Sequence, residues 1–259
     1  MIVCGCDLGS ATGKAVLLED DRILARAVVK SRMNPEQTAK LVIGEALKQI
    51  NVKSIEEIEY IVGTGYGREH VSFINENVSE ISCHARGAKK ICPEVKTVID
   101  IGGQDCKVIA VGKTGKVLEF VMNDKCAAGT GRFFEAMSRV FDMSISELAE
   151  LAMQSDSPVS ITKQCSVFAE SEVVTLMNRG EDIRDVAAGI HDSIARRIFS
   201  LMNRIDVNTE VLMTGGCARN RALHRSIEKI CGITLYQMEE DPQIIGALGA
   251  AVYAQQKAG

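Results

Sequence analysis

Apolar residues alternate with small or polar ones from the first residues, and Met1-Ile2-Val3-Cys4-Gly5-Cys6-Asp7 reads as the start of a strand. Residues 6 to 28 lie over residues 99 to 121 without a gap, at an offset of 93. Asp7 falls on Asp100, Gly9 on Gly102, Lys14 on Lys107 and Val28 on Val121. Each copy reads as strand, Asp-containing glycine turn, strand, second turn at Asp20-Asp21 or Thr114-Gly115, and strand. The pattern then turns helical, over Pro35 to Ile50 after the first copy and over Gly131 to Phe141 after the second. Further helices are expected over Ile183 to Ile205, from about Asn220 to Cys231 and over Ile244 to Gln255, where Gly246 and Gly249 permit close packing. The pattern predicts an α/β protein of two β-rich lobes built alike, with appended helices, facing each other across a cleft.

Composition narrows the class. The 259 residues are 46% hydrophobic and 25% charged with only 4 prolines, a globular balance large enough for one big domain or two ordinary ones. A formal net charge of −4 leaves no basic footprint for nucleic acid. The start of the chain lacks the basic and long apolar segments of a signal peptide. The longest apolar run, Ile244 to Ala254, falls short of the ~20 residues that span a bilayer. A cytoplasmic protein is expected. Its 9 cysteines, an odd count, then argue for reduced thiols or metal ligands. Cys4, Cys6, Cys83, Cys92 and Cys231 fall in strand or helix patterns and read as packing residues.

Two cysteines differ from the rest. Cys126, in Asn123-Asp124-Lys125-Cys126-Ala127-Ala128-Gly129-Thr130-Gly131-Arg132-Phe133, and Cys165, in Gln164-Cys165-Ser166-Val167-Phe168-Ala169-Glu170, each stand between a polar approach and an expected helix start. Unpaired N–H groups there favour a thiolate. An iron-sulfur cluster usually takes four thiolates, so a two-fold dimer giving Cys126 and Cys165 from each chain would suffice. Their separation matches no zinc-finger or ferredoxin spacing, and a buried or redox cysteine pair stays open as the alternative.

The doubled Asp-x-Gly turns, Asp7-Leu8-Gly9 and Asp100-Ile101-Gly102, offer backbone N–H groups to phosphates and carboxylates to a divalent metal through water. Lys14 either reaches a phosphate or is solvated. Gly13-Lys14 is not a P-loop, because Leu8 stands where its first glycine belongs and Ala15 replaces the hydroxyl residue. Gly63-Thr64-Gly65-Tyr66-Gly67-Arg68 lacks a dinucleotide register and is expected to be a structural loop at the cleft. Thr214-Gly215-Gly216-Cys217, between the strand Val211-Leu212-Met213 and a helix, suits a nucleoside lying on bare backbone, or close strand-to-helix packing. His84 reads as a helix-packing residue, His191 as a helix-face residue and Arg196-Arg197 as a solvated face. No Ser-His-Asp or paired-carboxylate arrangement presents itself.

Taken in order, the three turns resemble the phosphate and adenosine motifs of the actin, sugar-kinase and heat-shock-chaperone ATPase fold. The segments Asp100-Ile101-Gly102-Gly103-Gln104-Asp105, Asn123 to Phe133, Val167-Phe168-Ala169-Glu170-Ser171-Glu172, Ser82-Cys83-His84-Ala85-Arg86-Gly87 and Gly246-Ala247-Leu248-Gly249-Ala250-Ala251 resemble the activators of 2-hydroxyacyl-CoA dehydratases. That family includes the ATPase subunits of benzoyl-CoA reductases and the reductases of double-cubane cluster proteins. The resemblance implies an N-terminal lobe of residues 1–96 completed by a helix at 242–259, and a second lobe of residues 97–241. It implies an oxygen-sensitive homodimer holding one 4Fe-4S cluster on Cys126 and Cys165, with ATP driving one low-potential electron into a partner enzyme. The partner is a 2-hydroxyacyl-CoA dehydratase, a benzoyl-CoA reductase type enzyme or a double-cubane protein, and the donor a ferredoxin or flavodoxin.

Residue by residue, the resemblance puts Asp7 and Asp100 in a magnesium shell, Gln104 on the attacking water and Asp105 beside it. Gly9, Ser10, Ala11, Thr12, Lys14, Gly102 and Gly103 meet phosphates, and Gly215 and Gly216 meet the nucleoside. Glu170 and Glu172 either touch nucleotide or cap their helix. The first turn, Gly9-Ser10-Ala11-Thr12-Gly13-Lys14, departs from the usual Gly-Ser-Thr-Ala-Ser-Lys by a moved hydroxyl, and Lys163-Gln164, Cys106 and Cys217 also depart. Cys106 and Cys217 read as packing thiols. The competing readings are a small-molecule kinase of the same fold and a nucleotide or redox sensor.

Overall fold

The structure is a computed structural model that describes residues 1–162 and 165–259, so Lys163 and Gln164 of the second cysteine motif lie outside the described residues. In chain order the elements are β1 (Ile2–Leu8), β2 (Thr12–Glu19), β3 (Arg22–Lys30), α1 (Pro35–Lys48), β4 (Tyr60–Thr64), β5 (Glu76–Asn77), α2 (Glu80–Ile91), β6 (Thr97–Ile101), β7 (Cys106–Val111) and β8 (Val117–Asn123). They continue with α3 (Gly131–Phe141), α4 (Ile145–Met153), α5 (Ser166–Asn178), α6 (Ile183–Met202), β9 (Val211–Thr214), α7 (Arg221–Cys231), β10 (Leu235–Tyr236) and α8 (Ile245–Ala258). No described helix is long and apolar enough to cross a membrane.

The chain divides into two compact units, residues 1–98 with 111–118 and 237–259, and residues 99–110 with 119–236. The β7–β8 hairpin tip, placed in the second lobe by the sequence reading, groups with the first unit. Its contacts explain this: Val111 N–H donates to Lys96 O at 2.7 Å, and the Arg86 guanidinium donates to Thr114 O.

In the first unit the sheet runs β3-β2-β1-β4-β5. β1 pairs antiparallel with β2, setting Asp7 opposite Lys14, and parallel with β4, setting Asp7 opposite Thr64. The two middle positions of this sheet thus place a cation and a hydroxyl on either side of one carboxylate. The hairpin between β2 and β3 closes through Asp20 and Asp21, both with positive φ (45° and 72°), as a two-residue turn of the right twist requires. α1 starts where Asn34 accepts from the N–H groups of Glu36 and Gln37 and Pro35 fills the first helical position. Leu8, Leu17, Val42, Ile43 and Ile61 bury a core of their own. α8 lies with its backbone directly on β1 and α2, since a Cβ on Gly5 would strike Ala247 O and one on Gly249 would strike Cys83 O.

The second unit repeats that order as β8-β7-β6-β9-β10, with β9 and β10 parallel. Its core gathers Ile99, Ile101, Phe133, Phe134, Met137, Leu148, Ile190 and Ile198, and α6 crosses its middle with twelve buried residues. His191 is one of these and is fully buried, so it is a core residue and not a residue of the exposed helix face. Its imidazole bonds to Ala187 O at 2.7 Å and to Asn220 Nδ2 at 3.0 Å, which satisfies both ring nitrogens without water.

Candidate functional site

Two tight turns, one per unit, close with the same backbone bond. Gly9 N–H donates to Thr12 O at 3.1 Å, and Gly102 N–H donates to Asp105 O at 3.0 Å. Among the described residues, the N–H groups of Ser10 and Ala11 in one turn and of Gly103 and Gln104 in the other have no hydrogen-bond partner. Adjacent open N–H groups on a tight turn form a cradle for anionic oxygen. The carbonyls of the first turn face away and are held, Gly9 O by Ser31 Oγ at 2.7 Å and Ala11 O by Ser31 N–H at 3.0 Å. Gln104 stands exposed at the crest of the second turn, free to orient a small polar molecule.

A carboxylate sits at the foot of each turn, paired with a lysine. Asp7 Oδ2 lies 3.0 Å from Lys14 Nζ. Asp100 Oδ2 lies 3.0 Å from Lys107 Nζ, and its Oδ1 accepts from Thr214 Oγ1 at 2.9 Å. Both carboxylates are more than nine-tenths buried and already neutralised by an ammonium, which suits holding a hydrated divalent cation through water better than direct coordination.

Each carboxylate is pressed from a second side by a Thr-Gly turn. Gly215, with φ of 85°, would drive a Cβ into Ile101 O and to 2.8 Å from Asp100 Oδ1. Gly65, with φ of 82°, would drive one into Asp7 Oδ1, and the next residues bind back through Gly67 N–H to Leu8 O at 3.0 Å. Thr64-Gly65 at the end of β4 is therefore the counterpart of Thr214-Gly215 at the end of β9, a second level of repetition beyond the aligned hairpins. The segment read from sequence as a structural loop packs against the Asp7-Leu8-Gly9 turn. The matching Thr-Gly pairs carried this signal, but a two-residue match has no weight until the fold aligns the strands.

The cysteines separate into two classes. Cys4, Cys6, Cys83, Cys92, Cys106 and Cys217 are buried, whereas Cys126 is partly exposed and Cys165 exposed. Burial pushes the Cys217 thiol up to about 12, with the Asp100 charge adding to the effect, and the Cys106 thiol up to about 11. Such thiols stay protonated and serve packing. Cys231, at the end of α7, is partly exposed, and burial still raises its thiol to about 11.

Cys165 is the N-cap of α5, and Ala169 N–H closes the first turn onto Cys165 O at 2.8 Å. α3 begins at Gly131, where the sequence places it, and Cys126 lies five residues before that start. The first N–H groups of α3 are already taken: Gly131 and Arg132 donate to Gly102 O and Gly103 O, each at 2.9 Å. What faces Cys126 Sγ is Ala128 N–H at 3.4 Å, in a loop braced by Asn123 Nδ2 on the carbonyls of Cys126 and Ala128. The turn at Gly102-Gly103 is thereby bonded through its own carbonyls to the helix that leaves the Cys126 loop. This junction is tight: a Cβ on Gly131 would lie 3.3 Å from Gly102 O and 3.7 Å from Cys217 Sγ.

No group of three or more His, Cys, Asp or Glu side chains converges for a metal among the described residues. Four thiolates therefore do not converge among the described residues. Glu172 accepts from Thr162 N–H at 3.0 Å and Thr162 Oγ1 at 2.7 Å, tying the approach to Cys165 onto α5, while Glu170 is exposed. His84 is buried, its Nε2 2.9 Å from where a Cβ on Gly246 would stand, as close packing of α2 on α8 requires.

Comparison with known proteins adds the following. Residues 4–254 match the BadF/BadG/BcrA/BcrD ATPase family. The chain is 43% identical to the (R)-2-hydroxyglutaryl-CoA dehydratase activating ATPase of Acidaminococcus fermentans, covering 98% of this chain and 97% of the relative. It is 42% identical to the 2-hydroxyisocaproyl-CoA dehydratase activator of Clostridioides difficile, covering 98% and 95%. A solved structure of the Clostridium difficile activator with bound ADPNP superposes with a TM-score of 0.93 over 100% of this chain and 96% of that one, at 41% identity. A ROK family glucokinase from Streptomyces griseus, 13% identical with a TM-score of 0.59 over 99% of this chain and 100% of that one, shares the fold alone. The two-sheet architecture is that of the actin-like ATPases and sugar kinases, as expected from the sequence.

Proposed function

Because the chain belongs to the BadF/BadG/BcrA/BcrD ATPase family, we propose that it is an ATP-driven activator that delivers single low-potential electrons to a 2-hydroxyacyl-CoA dehydratase or a related iron-sulfur enzyme. The observation that carries this reading is the pair of hydrogen bonds from Gly131 and Arg132 N–H to Gly102 O and Gly103 O. A peptide group is planar and rigid, so a phosphate that captures the N–H groups of Gly103 and Gln104 reorients the carbonyls of Gly102 and Gly103. Those carbonyls hold the first turn of α3, next to the loop of Cys126. Nucleotide state and thiol position are linked by covalent planes and two hydrogen bonds.

In this reading Asp7 and Asp100 hold magnesium through water, with Lys14 and Lys107 balancing their charge. Gly9, Ser10, Ala11 and Thr12 in one turn, and Gly102 and Gly103 in the other, bind phosphate oxygens. Gly215 and Gly216 support the nucleoside. Gln104 orients the attacking water. Cys126 and Cys165 would hold half of a 4Fe-4S cluster whose other half comes from a second copy of the chain, and such a cluster supplies a one-electron carrier when bound. Support for the homodimer comes from exposed apolar side chains around both thiols: Phe120 on β8 leading to Cys126, and Val167, Phe168 and Val174 on α5 leading away from Cys165. A ferredoxin or flavodoxin is the proposed donor.

The test is iron and acid-labile sulfide on protein purified without oxygen, followed by ATP turnover and an electron paramagnetic resonance spectrum of the reduced protein with and without ATP. About four irons per two chains, ATP hydrolysis and a nucleotide-sensitive spectrum are expected. Iron-free protein that still hydrolyses ATP would overturn the electron-transfer reading and leave an ATPase.

A further inference from the structure

We infer that Lys107 is a positioning residue for ATP hydrolysis, its buried ammonium clamping Asp100 and Asp105 at the second phosphate turn, while its repeat counterpart Lys14 is the lysine that meets phosphate. The inference rests on the ATPase reading above.

The repeat makes the two lysines equivalent in sequence, and the fold makes them unlike. Lys14 is 13% exposed at the side chain and holds one carboxylate, that of Asp7. Its Nζ stands 2.9 Å from where a Cβ on Gly9 would be, directly over the first turn with its open N–H groups. An ammonium so placed, partly exposed and bound to one carboxylate, can turn to an incoming phosphate at small cost.

Lys107 is 2% exposed and lies 3.0 Å from Asp100 Oδ2 and 3.0 Å from Asp105 Oδ2. Withdrawing it toward a phosphate would break two ion pairs at once, one of them to a carboxylate that is 4% exposed. It stays, and by staying it aims both acids. Asp100 is fixed at its other oxygen by Thr214 Oγ1. The corresponding hydroxyl of the first unit, Thr64 Oγ1, is equally buried and has no hydrogen-bond partner among the described residues. Asp105, held by Lys107 at Oδ2, presents Oδ1 over the turn, 2.7 Å from where a Cβ on Gly102 would stand. Its side chain is 27% exposed and adjoins the exposed Gln104.

The pairing differs accordingly. At the first turn one lysine serves one carboxylate, that of Asp7, whereas at the second a single lysine is shared by Asp100 and Asp105. The two acids so held stand at the turn whose N–H groups bind phosphate in the reading above, where they suit a hydrated cation or a polarised water.

The experiment is steady-state ATP hydrolysis by the full-length protein, with wild-type turnover measured first, then Lys14→Gln, Lys107→Gln and Asp105→Asn. Lys14→Gln is expected to raise KM for ATP at least tenfold. Lys107→Gln is expected to lower kcat at least tenfold with KM within about threefold of wild type. Asp105→Asn, nearly isosteric and at a side chain that is 27% exposed, should show the same split and carries the test if Lys107→Gln does not fold. A KM raised about tenfold in either Lys107→Gln or Asp105→Asn would make the clamp a phosphate ligand and overturn the inference. So would a kcat within about threefold of wild type in Asp105→Asn. Wild-type protein without turnover would overturn the ATPase reading itself, a result distinct from either.

Discussion

His191 lies wholly buried in the middle of α6, with Phe134 tilted against it at 5.0 Å between ring centroids. Burial pushes its pKa from 6.5 down to about 4, against the opposing pull of the Ala187 carbonyl, Asp192 and Asn220. The folded protein therefore keeps the ring neutral at pH values where the unfolded chain protonates it. Stability from this source is whole above about pH 6.5 and is lost as pH falls toward 4. A gap of about 2.5 units at ~1.4 kcal/mol per unit amounts to about 3 kcal/mol by pH 4, and to about 2 kcal/mol at pH 5. Urea unfolding of wild type and His191→Gln between pH 7.5 and pH 4.5 isolates the effect, because every other titrating group is common to both. The wild-type advantage over the variant should shrink by about 2 kcal/mol between pH 7.5 and pH 5. Parallel curves for the two proteins would refute the argument that this ring is held neutral by burial.

Gly215→Ala should weaken ADP binding at least tenfold by calorimetry, because the new Cβ meets Ile101 O and Asp100 Oδ1, while Gly180→Ala, at a similar φ of 83° with nothing within 4 Å, should cost about 1 kcal/mol of stability and no affinity. Cys126→Ala or Cys165→Ala should abolish bound iron in anaerobic preparations while ATP binding persists, and wild-type iron content in either would remove that cysteine from the ligand set. Gln104→Ala should slow ATP turnover about a hundredfold with little change in ATP affinity, and unchanged turnover would remove Gln104 from the mechanism.

Much of the fold was legible because its signals are local. The strand alternation and Asp-Gly turns at an offset of 93 placed both hairpins, and the helical pattern from Pro35 placed α1. What sequence could not supply depends on pairing between distant strands. Thr64-Gly65 matters because β4 lies parallel to β1 in a register that sets Thr64 opposite Asp7, and no short-range pattern encodes that register. The helix start after Cys126 was legible, yet its N–H groups were spoken for by carbonyls some thirty residues away in sequence, so the thiol had to find Ala128 N–H instead. His191 reads as a helix-face residue, and that face is buried because α6 is packed by α4, α5 and α7, which a single helix's periodicity does not reveal. Lys107 looked like any lysine on a strand until Asp100 and Asp105 closed around it.

The seat of α8 against β1 and α2 has a consequence for how the chain is made. Residues 237–259 leave the ribosome only after the whole of the second unit, yet they cover the floor of the first. Until they emerge, β1 must wait with Cys4 and Cys6 and a backbone bare of side chain at Gly5, while the second unit can already close around its own core. A nascent chain interrupted near residue 236 would display an uncovered sheet to chaperones and proteases. The glycines that let two backbones touch thus act as a proofreading seam, sealed only on chains whose synthesis has passed α8.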